Sequence, residues 1–152
     1  DIHREWIDAL LRNEPHRERA ALERTRDLMD RATRDCLVTG YEPLIDGLEL
    51  PDPDDRHVLA AAIRCNARAI ITFNHRDFPA AVLEPLDLET LDPDRFVEYQ
   101  LELNQGTVIA TAKRHRTSLK KPPKSAADYL ETLAAQGLVV TADRLREFIE
   151  LI

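Results

Sequence analysis

Residues 51–78 read PDPDDRHVLAAAIRCNARAIITFNHRDF, and the fold is decided there. Pro53 suits a first helical position, because its fixed φ belongs there and its missing N–H would have no partner in any case. Asp52 is then the capping residue and Asp55 the third residue of the helix. Val58, Leu59, Ala62 and Ile63 recur at helical spacing and give that helix one apolar face. The β-branched run Ala69-Ile70-Ile71-Thr72-Phe73 has the length and make-up of a buried strand. Asn74, His75, Arg76 and Asp77 follow directly. In an open α/β sheet, sites form in the crevice beyond the carboxyl ends of the strands.

Working outward, residues 2–12 carry Ile2, Trp6, Leu10 and Ile7 on one helical face, with Glu5 at its edge. Asn13-Glu14-Pro15 breaks the pattern, and a second helix runs from Pro15 to about Arg34, with Leu22, Leu28, Met29 and Ala32 as its apolar face. Cys36–Thr39 reads as a short strand ended by Gly40, and residues 41–50 as a loop with a helical turn. Beyond the central stretch, 79–83 suits one short helix. Residues 86–91 alternate like an edge strand. From Asp92-Pro93 onward the pattern is all helical. One helix extends to Gln105-Gly106 and another from Thr107 to Leu119, stopped by Lys121-Pro122-Pro123. A third follows the capping box at Ser125-Ala126-Ala127-Asp128, and a last one is capped by Thr141.

The chain has 152 residues, 43 % of them hydrophobic and 32 % charged, which suits either one good domain or one core plus an appendage. No apolar run approaches the roughly 18 residues of a membrane span. The two cysteines, Cys36 and Cys65, lack metal-ligand spacing and read as buried, reduced thiols of a cytoplasmic protein. Four glycines leave no Gly-rich phosphate loop, and Ser118 has no triad context. The net charge of −7 hides an asymmetry. Lys113, Arg114, Arg116, Lys120, Lys121 and Lys124 fall between Gln105 and Ala127 with no acid among them. The other 15 basic residues face all 28 acidic ones. Such a run either complements a helix C-terminus, neutralises RNA phosphates or docks on an acidic protein surface.

The combination DPDDRHVLAAA with IITFNHRDF resembles the second half of a PIN domain, the fold of VapC-type toxin ribonucleases. The resemblance covers residues 1–93. It implies an α/β fold, a PIN-like parallel sheet flanked by helices, followed by a helical C-terminal extension over 94–152. The implied activity is that of an endoribonuclease toxin, neutralised by a cognate antitoxin, that cleaves RNA with Mg²⁺ or Mn²⁺ held by clustered acids. Hard oxygen ligands suit those ions, which activate water and stabilise a leaving oxygen.

Carried residue by residue, the resemblance makes Asp55 one acid and Glu5 another, within Ile2-His3-Arg4-Glu5-Trp6. The acid two residues past the strand-end Thr72 is replaced by Asn74, which can ligate through its carbonyl oxygen but brings no charge. Asp77 then takes the electrostatic role. The catalytic set is Glu5, Asp55 and Asp77, the metal set adds Asn74, and Thr72 joins the basic run as an RNA contact. Asp52 and Asp54 are read as helix-start acids, and His57 as surface or packing.

The family's first acid lies on an opening strand, upstream of the helix at residue 2, that this sequence does not contain. The expectation is therefore an open sheet edge, covered by a swapped element or by a second copy in a homodimer. The chain alone is then expected to cleave RNA poorly. A catalytically inactive PIN-like module that binds RNA or protein is the alternative from another class.

Overall fold

The computed structural model describes residues 2–33 and 35–152. Two short strands, β1 (Ala69–Ile71) and β2 (Glu89–Leu91), pair in one sheet. The Glu89 N–H donates to the Arg68 carbonyl, and the Thr72 N–H donates to that of Leu91. Residue numbers rise together on both strands, so the pair is parallel. A parallel connection needs a crossover, and α5 (Ala80–Leu83) lies within it. The alternating pattern that begins at Leu86 becomes strand only at Glu89. Glu84–Leu86 closes as a 3₁₀ turn, and Asp87 follows in the left-handed region at φ 54°.

The contacts divide the chain into two units. The first holds the residues up to Ile70 together with Arg76–Glu89; the second holds Ile71–His75 and Thr90–Ile152. In the first unit, α1 (Ile2–Asn13) packs on α2 (Arg19–Ala32), and α3 (Glu42–Ile45) packs on α4 (Arg56–Arg64). Its core gathers Leu59, Ala62, Ile70, Phe78, Leu83 and Leu88. Leu59 and Leu83 are fully buried, and each contributes about 1.5–3 kcal/mol relative to exposure.

Several local expectations change here. Cys36–Thr39 forms no strand; Leu37 is exposed, and among the described residues no strand pairs with this segment. The second helix starts at Arg19, four residues after Pro15, and Leu28 and Met29 stay exposed while Leu22 is buried. The expected end of that helix at Arg34 lies outside the described residues. Both cysteines are exposed rather than buried. Cys65 sits past the last turn of α4, its thiol directed at the Ala62 carbonyl.

The second unit is helical, with α6 (Pro93–Ser118), α7 (Ala126–Ala135) and α8 (Val139–Arg146) packed around Leu101, Ile109, Tyr129, Leu130 and Leu145. The break foreseen at Gln105-Gly106 occurs at Asn104, which leaves helical geometry at φ −154°, ψ 77°. Its side-chain oxygen accepts from the Thr107 N–H at 3.0 Å, so one asparagine both ends a helical run and caps the next. Ser125 and Asp128 form the full reciprocal capping box of α7. No helix among the described residues is long and apolar enough to cross a membrane.

Thr141 does not cap α8, which starts at Val139 after Leu138, a residue with no side-chain cap. The buried carboxylate of Asp94, in the first turn of α6, does so instead. It accepts from the backbone N–H of Val140 at 2.7 Å and of Thr141 at 2.8 Å. Burial raises the Asp94 carboxyl, but the hydrogen bonds from Thr141, Val140 and Val139 outweigh burial and hold it below its ordinary value. A depressed folded-state pKa gives stability above the unfolded pKa that is lost as pH falls through the folded one. Asp94→Ala is expected to lower unfolding stability by about 2–3 kcal/mol, since one buried and one partly buried N–H group lose their acceptor. Urea melts should show that difference at pH 7 and a shrinking one at strongly acidic pH.

Candidate metal centre

Asp52 is extended, at φ −101° and ψ 114°, and its carboxylate accepts from the Asp54 N–H at 2.9 Å. Pro53 opens the 3₁₀ turn Pro53–Asp55, which passes directly into α4. The turn is tied on its outer side by the Arg56 Nε, which donates to the Pro53 carbonyl at 2.9 Å. His57, Leu59, Ala60 and Ala62 are all buried, and this fixes how α4 is rotated. Asp55, at the head of the helix, makes no capping hydrogen bond with its side chain. Asp77 precedes Phe78, which is 5 % exposed, so the anchoring of that ring in the core sets where the neighbouring carboxylate can go.

These constraints bring Asp52, Asp55 and Asp77 together, with one carboxylate oxygen from each lying within 4.8 Å of the others. Burial raises the Asp55 carboxyl first, and the negative charges of Asp52 and Asp77 raise it further. His57 opposes the shift and Glu5 adds to it. Such crowding is relieved by a cation. Mg²⁺ and Mn²⁺ favour oxygen ligands at about 2.1 Å, which puts opposite ligands of an octahedron about 4.2 Å apart. The group fits one such ion after small side-chain rotations.

The other residues of the expected set are placed differently. Glu5, on α1, stands outside this carboxylate group and is half exposed, with Oε2 3.2 Å from His57 Nε2. Thr72 and Asn74 belong to the second unit, where the Thr72 hydroxyl oxygen accepts from the Asn74 N–H at 2.9 Å.

The basic run splits. Lys113, Arg114, Lys120 and Lys121 are exposed. Arg116 instead donates from Nη1 to the Lys124 carbonyl at 2.9 Å and from Nη2 to that of Ile152 at 3.2 Å. Lys124 Nζ donates to the Thr132 hydroxyl at 2.8 Å.

Two residues at this centre were passed over in the sequence. Asp52 read as a cap, and it is one, yet it also joins the acidic group. The signal was available in its capping role, because a cap's side chain folds back over the first turn it precedes, and Asp55 ends that turn. His57 is buried, with Nδ1 2.7 Å from the Asp54 carbonyl oxygen. It lies three residues before the buried Ala60, on the inward face.

At neutral pH an ionised Asp55 in this group costs stability, since a raised carboxyl pKa favours the folded state only in its protonated form. Asp55→Asn is therefore expected to raise the metal-free Tm at pH 7. The advantage should fade as pH falls through the raised Asp55 pKa. Mn²⁺ should raise the Tm of the parent chain more than that of Asp55→Asn; differential scanning fluorimetry in chelated and Mn²⁺-containing buffer measures both effects.

Residues 93–147 match the family described as the VapC50 C-terminal domain. The chain is also 35 % identical over 97 residues to the protein named "Putative ribonuclease VapC50" from Mycobacterium tuberculosis (strain ATCC 25618 / H37Rv). That alignment takes in 64 % of this chain and 57 % of the relative, so the chain spans little more than half the length of the protein it matches. No solved structure matches the chain.

Proposed function

We propose that the chain belongs to the VapC-type PIN family, a reading its similarity to a putative VapC50 ribonuclease supports, and that it is the RNA-cleaving part of a metal-dependent endoribonuclease toxin, restrained in the cytoplasm by a cognate antitoxin. One observation carries this reading: three carboxylates from separate chain positions converge at the head of α4. Mg²⁺ or Mn²⁺, when bound there, supplies Lewis acidity toward a phosphodiester and acidifies water. Asp55 and Asp77 hold the ion, and Asp52 contributes a third oxygen while still capping the turn. Glu5 adds negative charge felt at Asp55.

In the helical unit, the exposed side chains of Lys113, Arg114, Lys120 and Lys121 are the RNA-backbone contacts, with Thr72 beside them in the proposal. Arg116 and Lys124 hold the end of that unit together and stand outside the set. Domain limits of 1–93 and 94–152 belong to the same proposal. A second reading, a silent RNA- or protein-binding module, has one observation in its favour. The residue two past Thr72 is the neutral Asn74, where the resemblance implies an acid.

Cleavage of RNA in Mg²⁺ or Mn²⁺ decides between the two, run with this chain, with a longer polypeptide bearing an upstream aspartate-containing strand, and with Asp55→Asn and Asp77→Asn in each. Loss of at least about a hundredfold in rate on either substitution is expected, the scale of removing a charge-stabilising group. Equal cleavage with and without Asp55 would sink the enzyme reading, whereas RNA binding without cleavage in every form would favour the silent module.

The basic run has its own test. Replacing Lys120 and Lys121 by alanine should weaken RNA binding and reduce the slope of log K against log salt by about 1–2. Arg116→Ala should instead lower thermal stability, with a smaller change in that slope.

A further inference from the structure

His57 is a buried polar residue that the carboxylate group leaves unexplained. Its side chain is 9 % exposed, and its Nδ1 lies 2.7 Å from the Asp54 carbonyl oxygen. A carbonyl oxygen only accepts, so Nδ1 carries the proton, and in the neutral ring the lone pair sits on Nε2. That atom is shielded from solvent and has no hydrogen-bond partner among the described residues. Glu5 Oε2 stands 3.2 Å away, without the alignment of a hydrogen bond.

Metal-binding histidines have this arrangement. One ring nitrogen donates to a carbonyl or carboxylate, which fixes tautomer and orientation, and the other aims its lone pair at the ion. Two atoms bound to one ion at about 2.1 Å stand about 3.0–3.4 Å apart in octahedral or tetrahedral geometry. The Glu5–His57 separation falls inside that interval. The imidazole also borders a cavity of about 240 Å³, lined in part by His3, Cys36 and Tyr41.

We infer that His57 Nε2 and Glu5 Oε2 form a nitrogen–oxygen metal position beside the acidic group, and that it takes Mn²⁺ in preference to Mg²⁺. Imidazole nitrogen suits transition ions, whereas Mg²⁺ holds to oxygen. His57 lies in the first turn of α4, which Asp55 heads, and Glu5 Oε2 is 3.2 Å from it, so the position stands at the same end of that helix as the carboxylates. The inference rests on the metal-dependent reading above and adds to it the choice of ion.

Calorimetric titration with Mn²⁺ and with Mg²⁺, combined with pulsed electron paramagnetic resonance of the Mn²⁺-loaded chain, tests it. The parent chain should bind Mn²⁺ about tenfold or more tightly than Mg²⁺, and the bound Mn²⁺ should show nitrogen coupling. His57→Asn keeps a donor toward the Asp54 carbonyl but removes Nε2. It should lose the coupling and about tenfold in Mn²⁺ affinity, even the removal of outer partners costing that much. Glu5→Gln, at a half-exposed position, serves if His57→Asn does not fold, and should weaken both signals. Mn²⁺ bound to the parent chain without nitrogen coupling, or coupling that survives in His57→Asn, overturns the inference while leaving the carboxylate reading intact. No Mn²⁺ binding by the parent chain overturns both.

Discussion

The rotation of α4 about its own axis is the constraint on which the candidate centre depends. Leu59 and Ala60 are fully buried, with Ala62 and His57 nearly so. Each residue advances about 100° around a helix, so four buried positions in the first two turns leave little freedom. The Asp52 carboxylate, accepting from the Asp54 N–H, sets how the chain enters that helix. Between the cap and the buried face, Asp55 has one place to be. Burial of Phe78 does the same for Asp77. Two apolar anchors thus hold carboxylates that would separate if left to themselves.

That forced proximity is the electrostatic content of the site. Three carboxylates within a few ångströms repel, and burial strengthens the repulsion by lowering the local dielectric response. The raised Asp55 carboxyl records both effects. Holding the three carboxylates together is a cost to folding that a cation bound there would offset. Stability and metal affinity are in this way two readings of one arrangement.

The helical unit uses the same chemistry for architecture. Asp94 is as buried as any charged group described here, yet its carboxylate serves the backbone of α8. Arg116 lies within a basic run and donates to two carbonyls, one of them 36 residues away in sequence. Charge type alone therefore did not separate structural from exposed cations. The difference lies in reach, because Arg116 lies on the side of α6 that meets the end of its own unit, and Lys113, Arg114 and Lys120 point outward.

Local chemistry made much of this protein legible in the sequence. Pro53 and Asp52 mark a helix start because φ restriction and capping act over a few residues. The Ser125–Asp128 box and the β-branched run at Ala69–Ile71 are equally local, and the sequence resemblance carried the grouping of Asp55 with Asp77 as an expectation. Other features needed the assembled chain. The inclusion of Asp52 in the acidic group, the burial of His57 with an unpartnered Nε2, and the capping of α8 by Asp94 rather than Thr141 join residues through space. The exposure of Cys36 and Cys65 against a reading of buried thiols belongs here too. Periodicity states which face of a helix is apolar, but what that face meets is set by packing among segments distant in sequence. Burial, and with it the strength of every charge and the fate of every lone pair, is fixed only when those segments close on one another.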